Sequence, residues 1–149
     1  METKDVFEVV ALAIAVVSLV YTAYSVHQGK KTARAQFWLD LRDRFSQHDQ
    51  VHRALRPGGE WTRPETGPKS PDDWARLEAY MGLFEHCELM LGQGLIDFPT
   101  FKAIYGYRVH NILANKVIAE EKLVKRRDGW SHFLALVERL GHPKSGSGA

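Results

Sequence analysis

Residues Val6–Val26 read VFEVVALAIAVVSLVYTAYSV, a run whose one charged side chain is Glu8. An α-helix rises ~1.5 Å per residue, so about twenty residues cover the ~30 Å hydrocarbon core of a bilayer, and this run is just long enough. Tyr21 and Tyr24 near its C-terminal end carry the amphipathic rings favoured at a headgroup boundary. The run is therefore expected to be a transmembrane helix, with residues 1–29 forming a flank and anchor. Glu2, Lys4, Asp5 and Glu8 mix both signs ahead of and within it, unlike the basic start of a cleaved signal peptide. Lys30, Lys31 and Arg34 follow with no acid before Asp40, whereas Lys4 is the one cation on the near side. The positive-inside bias then predicts a single pass with the N-terminus outside and the C-terminal body in the cytoplasm. A buried core helix is the alternative reading of the same residues.

One face of the run differs from the rest. Glu8, Ala11, Ala15, Ser18, Thr22 and Ser25 recur at spacings of three and four, while Val, Leu, Ile and Tyr fill most other positions. Small side chains let two helix backbones approach closely, and hydroxyls can bond across the contact. The stripe is expected to be the interface of a homo-oligomer or, in a larger ring, the lining of a pore.

Beyond Gly29 the pattern becomes amphipathic. Trp38, Leu41, Phe45, His48, His52 and Leu55 share one helical face, and Pro57-Gly58-Gly59 ends that helix. Residues 57–71 form a proline-rich loop with Trp61 as its large apolar anchor. A second helix is expected from Ser70 or Asp72 to about Gly92, with Trp74, Leu77, Met81, Phe84, Cys87 and Leu91 inward and Gly94 at its end. Asp97 and Pro99 open a third helix, expected to reach about Glu121 with Phe101, Ile104, Tyr105, Arg108, Ile112 and Lys116 along one side. A fourth is expected from about Asp128 to Leu140, burying Trp130, Phe133, Leu134 and Val137. No window alternates with period two, so the fold class predicted is all-α: one transmembrane helix, then a cytosolic bundle of about four helices over 30–141. Residues 142–149, ending Ser-Gly-Ser-Gly-Ala, read as a flexible tail or an expression remnant.

Composition narrows the function classes. A net charge of +2 is too mild to mark a nucleic-acid surface unless the cations cluster, and the cluster Lys122, Lys125, Arg126, Arg127 is flanked by Glu120, Glu121 and Asp128. It reads as a solvated surface. The single cysteine, Cys87, excludes an intrachain disulfide and fits a reducing compartment.

The run AIAVVSLVYTAYSV followed by Thr32, Arg34, Ala35 and Phe37, and later FEHCELMLGQGLID with a late Trp130, resembles a large group of bacterial single-span membrane proteins of unknown function. The resemblance implies an inner-membrane anchor carrying a cytosolic helical domain, and it brings no established activity. A fainter similarity is to the small membrane accessory protein of RNA-targeting type VI CRISPR systems. That family implies a HEPN-like fold and assembly into a membrane ring.

Nucleases of the HEPN class use an Arg, a polar residue, three free positions and a His, and Arg127-Asp128-Gly129-Trp130-Ser131-His132 has that form. The family would give His132 the proton transfer and Arg127 the phosphate charge. Spacings of this kind arise readily by chance, and Gly129 falls where continuous helix is wanted. A helix start capped by Asp128 is the plainer reading. His48 and His52 are spaced to place two imidazoles on one helix face, as zinc sites require, and Glu85, His86, Cys87 and Glu88 lie on the next helix. Neither HExxH nor a CxxC pair accompanies them, so half-buried, hydrogen-bonded histidines are the favoured reading and no metal or cofactor is expected. No phosphate-cradling glycine loop or nucleophile elbow is present.

The function expected from sequence is a membrane-tethered helical interaction module that self-associates through its first helix, and an enzyme is not the favoured class. The partners expected are a lipid bilayer, further copies of the chain and a cytosolic or membrane protein, with nucleic acid not among them. An oligomeric pore or membrane-perturbing effector, and a membrane-anchored HEPN-type ribonuclease using Arg127 and His132, are the alternatives.

Overall fold

A computed structural model describes residues 3–63 and 65–141, with backbone alone for residues 3–11, 13 and 30. The tail at 142–149 and the side chains of Glu8 and Ala11 lie outside the described residues. Among the described residues every element is helical and no strand occurs. The elements are α1 (Thr3–Gln47), α2 (Asp49–Leu55), α3 (Pro71–Gly92), α4 (Phe98–Ala114), α5 (Lys116–Ile118), a π-helical turn (Ala119–Val124), a 3-10 turn (Arg127–Trp130) and α6 (Ser131–Arg139). The chain divides into two compact units, one ending at Asp40 and one beginning at Leu41.

The all-α expectation stands, and the transmembrane helix does not. Among the described residues no helix is long and apolar enough to cross a membrane. Of Val6–Val26, the part with described side chains begins at Leu12. After Val26 the apolar stretch gives way within α1 to His27, Gln28, Lys31 and Arg34. α1 runs on through Gly29, beyond which the pattern becomes amphipathic, and continues to Gln47. A glycine inside a helix costs only about 1 kcal/mol relative to alanine, too little to stop a helix with good formers on both sides.

Within the second unit, α3 is the central element. Ser70 starts it with a reciprocal capping box: its hydroxyl accepts from Asp73 N at 3.1 Å, and the Asp73 carboxylate accepts from Ser70 N at 3.1 Å. Gly94 stops it at φ +68°, with Leu95 N donating to Met90 O at 3.0 Å and Gly94 N to Leu91 O at 3.2 Å. Those two bonds are the 6→1 and 5→2 pair that close a helix end through a left-handed residue. Leu77, Tyr80, Met81, Phe84 and Cys87 on α3 are fully buried. They meet Leu41 and Phe45 from the end of α1, Phe101, Val109 and Ile112 from α4, and Phe133 and Leu136 from α6 in one core. The rings interlock, with Phe45 stacked on Tyr105 at 4.2 Å and edge-on to Tyr80 at 6.1 Å, and Phe84 edge-on to Phe133 at 6.2 Å.

The third expected helix is interrupted at Asn115, which ends α4 and caps α5. Its backbone turns to φ −84°, ψ 110° because the side chain is held from three directions. Nδ2 donates to Trp61 O and Thr66 O, each at 2.8 Å, and Oδ1 accepts from Ile118 N at 2.9 Å. The proline-rich loop is thereby fixed to the bundle, with Trp61 buried beneath it. Gly59 lets that loop close, since a Cβ there would stand 2.2 Å from Arg53 O. The expected fourth helix begins three residues late, after the 3-10 turn, and so starts at Ser131.

Candidate functional site

In the first unit the described part of α1 carries an unpartnered apolar surface. Leu12, Ile14, Val16, Val17, Leu19, Val20, Tyr21, Tyr24 and Val26 are each 53–73% exposed. At about 100° per residue these nine side chains cover roughly two-thirds of the helix circumference. The remaining arc holds Ala15, Ser18, Thr22 and Ser25, all exposed. Thr22 donates its hydroxyl to Ser18 O of its own helix at 2.8 Å, so that group is already satisfied and the strip is less polar than its composition suggests. Opposite it, Val16, Val17, Val20, Tyr21 and Tyr24 enclose a shallow apolar hollow.

In the second unit the most unusual feature is a cation surrounded by rings. The Arg108 guanidinium lies 5.2 Å from the Phe45 ring centre, 5.6 Å from Tyr105 and 5.8 Å from Tyr107. Its Nε donates to Tyr107 Oη at 3.2 Å, and Tyr107 Oη sits 3.4 Å from His52 Nε2. Burial works against the charge, and the oxygens of Tyr80 and Tyr107 more than offset that, so the Arg108 pKa stays above the ordinary value. The Tyr80 hydroxyl lies close enough to feel this cation yet lacks hydrogen-bond geometry, and burial pushes its pKa up to about 12. Burial, reinforced by Arg108, lowers the pKa of His52. These side chains tie α2, α3 and α4 together around one positive charge.

The sequence candidates fall in separate places. His48 is the residue between α1 and α2, tilted against Tyr80 at 5.9 Å, while His52 is buried and engaged with Tyr107. Of the acids expected near them, Glu85 accepts from Phe133 N at 3.3 Å and so caps α6, which has no side-chain cap of its own. Glu88 is buried and takes a fork of bonds from Arg139, the shortest 2.6 Å from Nη2. Cys87 is buried, and its thiol is pushed up to about 12 by that burial. No cluster of three metal-ligating side chains occurs among the described residues. Arg127 lies in the 3-10 turn and His132 in the first turn of α6, both exposed. The basic cluster loses a member: Lys122 is buried, paired with Glu78 and 4.7 Å from the Trp74 ring centre. Lys125 pairs with Glu121 one turn away.

Asn115, the Glu88–Arg139 pair and the surroundings of Arg108 escaped the sequence reading. A lone Asn between two apolar helical stretches was the one available signal, since Asn favours helix ends over interiors. Compared with known proteins, the chain matches no family model, and no curated protein or solved structure is significantly similar to it.

Proposed function

We propose that the chain is a helical interaction module that associates with copies of itself through the Leu12–Val26 segment of α1. The observation that carries this reading is the exposure of nine large apolar side chains within fifteen residues. Each Val or Leu moved from water to a packed contact contributes on the order of 1–3 kcal/mol, so leaving this segment bare is costly. Contiguous apolar surface of this kind marks a contact site. A second copy suits it because the segment offers two complementary features on one helix, a strip of small side chains and a broad face of branched ones. Backbones can approach at Ala15 and Ser18 while Leu19 on one side and Tyr21 on the other flank the contact. An apolar face this wide is covered better by several helices than by one, which favours an assembly above a dimer.

Cysteine crosslinking tests the geometry, because buried Cys87 leaves a silent background. Ser18→Cys should give a disulfide-linked pair of chains under mild oxidation at micromolar concentration. Val20→Cys, on the opposite side of the helix, should crosslink at least fivefold less. Equal crosslinking at both positions, or none at either, would remove the strip from the interface.

A further inference from the structure

A cavity of about 250 Å³ in the second unit is lined by Arg44, Gln47, His48, Ala79, Gly82, Leu83 and His86. Its polar lining consists of a guanidinium, an amide and two imidazoles, with no carboxylate. The acids that neighbour it in sequence are engaged elsewhere. Asp49 pairs with Arg53 at 2.6 Å, Glu78 pairs with Lys122, and Glu85 accepts from Phe133 N. Asp43 does not line the cavity. Among the described residues the side chains of Arg44, Gln47 and His86 make no hydrogen bond or ion pair, whereas Arg53 and Arg139 each hold a carboxylate. The floor is open because α3 places Ala79 and Gly82 there, and a Cβ on Gly82 would meet nothing within 4 Å.

We propose that this cavity binds a small oxyanion of phosphate-monoester chemistry, held by Arg44, Gln47, His48 and His86. A guanidinium presents a fork of donors that matches two phosphate oxygens, and the amide and imidazoles supply further N–H groups. Volume sets the ligand's size, since drug-sized molecules occupy roughly 300–1,000 Å³ and this site lies below that range. A transition metal fits less well, because Arg44 contributes a positive charge and neither a thiolate nor a carboxylate faces the space. Burial lowers the pKa of His48 and favours its neutral form near pH 7, while Arg44 carries a positive charge. The site is independent of the α1 surface and stands or falls apart from it.

Isothermal titration of the full chain with inorganic phosphate at low ionic strength tests the assignment. Saturable binding of one phosphate per chain is expected, weakened at least fivefold in Arg44→Gln and in His86→Gln. Gly82→Leu fills the floor and should abolish binding while leaving the melting temperature unchanged or raised, because leucine is the better helix former. Glycerol 3-phosphate titrated in parallel distinguishes the sources. Tighter binding than the free ion points to a small phosphorylated metabolite, and weaker binding points to phosphate itself. The proposal is overturned if no saturable heat is seen, if chloride at the same concentration competes equally, or if Gly82→Leu binds phosphate as the parent does.

Discussion

Asn115→Ala is the substitution whose cost follows most directly from the structure. The side chain is 3% exposed, and all three of its hydrogen bonds go to backbone groups. Alanine would leave the carbonyls of Trp61 and Thr66 and the N–H of Ile118 without this partner. At about 1 kcal/mol net per bond, the loss is about 3 kcal/mol, a large fraction of the roughly 5–15 kcal/mol that holds an ordinary domain together. At about 4 °C per kcal/mol for a body of this size, the melting temperature should fall by about 12 °C. Urea unfolding followed by far-UV circular dichroism should show the midpoint shift with little change in slope. Asn115→Asp sharpens the test, because it keeps an acceptor for Ile118 N but sets a carboxylate against two carbonyl oxygens. It should be at least as damaging as alanine despite being isosteric. A loss below about 0.5 kcal/mol for Asn115→Ala, the range of an ordinary surface substitution, would refute the claim that this residue fastens the loop.

Folding holds His48 and His52 below the ordinary imidazole value of 6.5, chiefly through burial, so the unfolded chain binds more protons below that value. Stability should therefore be level above about pH 7 and fall as the pH drops through about 6.5, and His52→Gln should lessen the fall in a melting series. Cys87, with its thiol pushed up to about 12, should resist a thiol-reactive dye in the native protein and react promptly in denaturant; fast native labelling would contradict its burial. Lys122→Ala removes the pairing with Glu78 and the contact with Trp74 and should cost about 1–2 kcal/mol, while Arg126→Ala in the same basic run should be neutral.

Local chemistry made much of the fold legible in the sequence. Ser70 and Asp73 write the start of α3, Gly94 writes its end, and Asp97 with Pro99 writes the start of α4, because each acts within a turn of itself. Periodicity placed Leu77, Met81, Phe84, Cys87 and Leu91 of α3 and Phe133 and Val137 of α6 inward, and they are buried. It passed over the equally buried Tyr80 and Leu136, set the half-buried Trp74, Trp130 and Leu134 in the core, and put Ile104, 47% exposed, on the inner side of α4. What was hidden depends on partners far away in the chain. Asn115 breaks a helix because two carbonyls arrive from some fifty residues earlier, and Lys122 leaves the basic surface because Glu78 and Trp74 receive it. Hydropathy marked the apolar run of α1, but among the described residues no helix is long and apolar enough to cross a membrane. Of the site candidates, the spacings of His48 to His52 and of Arg127 to His132 carried no information about what surrounds each ring.

Sedimentation equilibrium of the full chain across a hundredfold range of concentration, beside Ala15→Leu and Ile14→Leu, tests the central claim most directly. Self-association through the strip predicts a mass above the 16.9 kDa monomer that rises with concentration. Ala15→Leu should weaken association at least tenfold, about 1.4 kcal/mol, because leucine holds the backbones apart. Ile14→Leu lies on the apolar face and changes shape without volume, so it should associate like the parent. A parent chain that stays at 16.9 kDa throughout, or an Ala15→Leu variant that associates as tightly as the parent, would contradict the account.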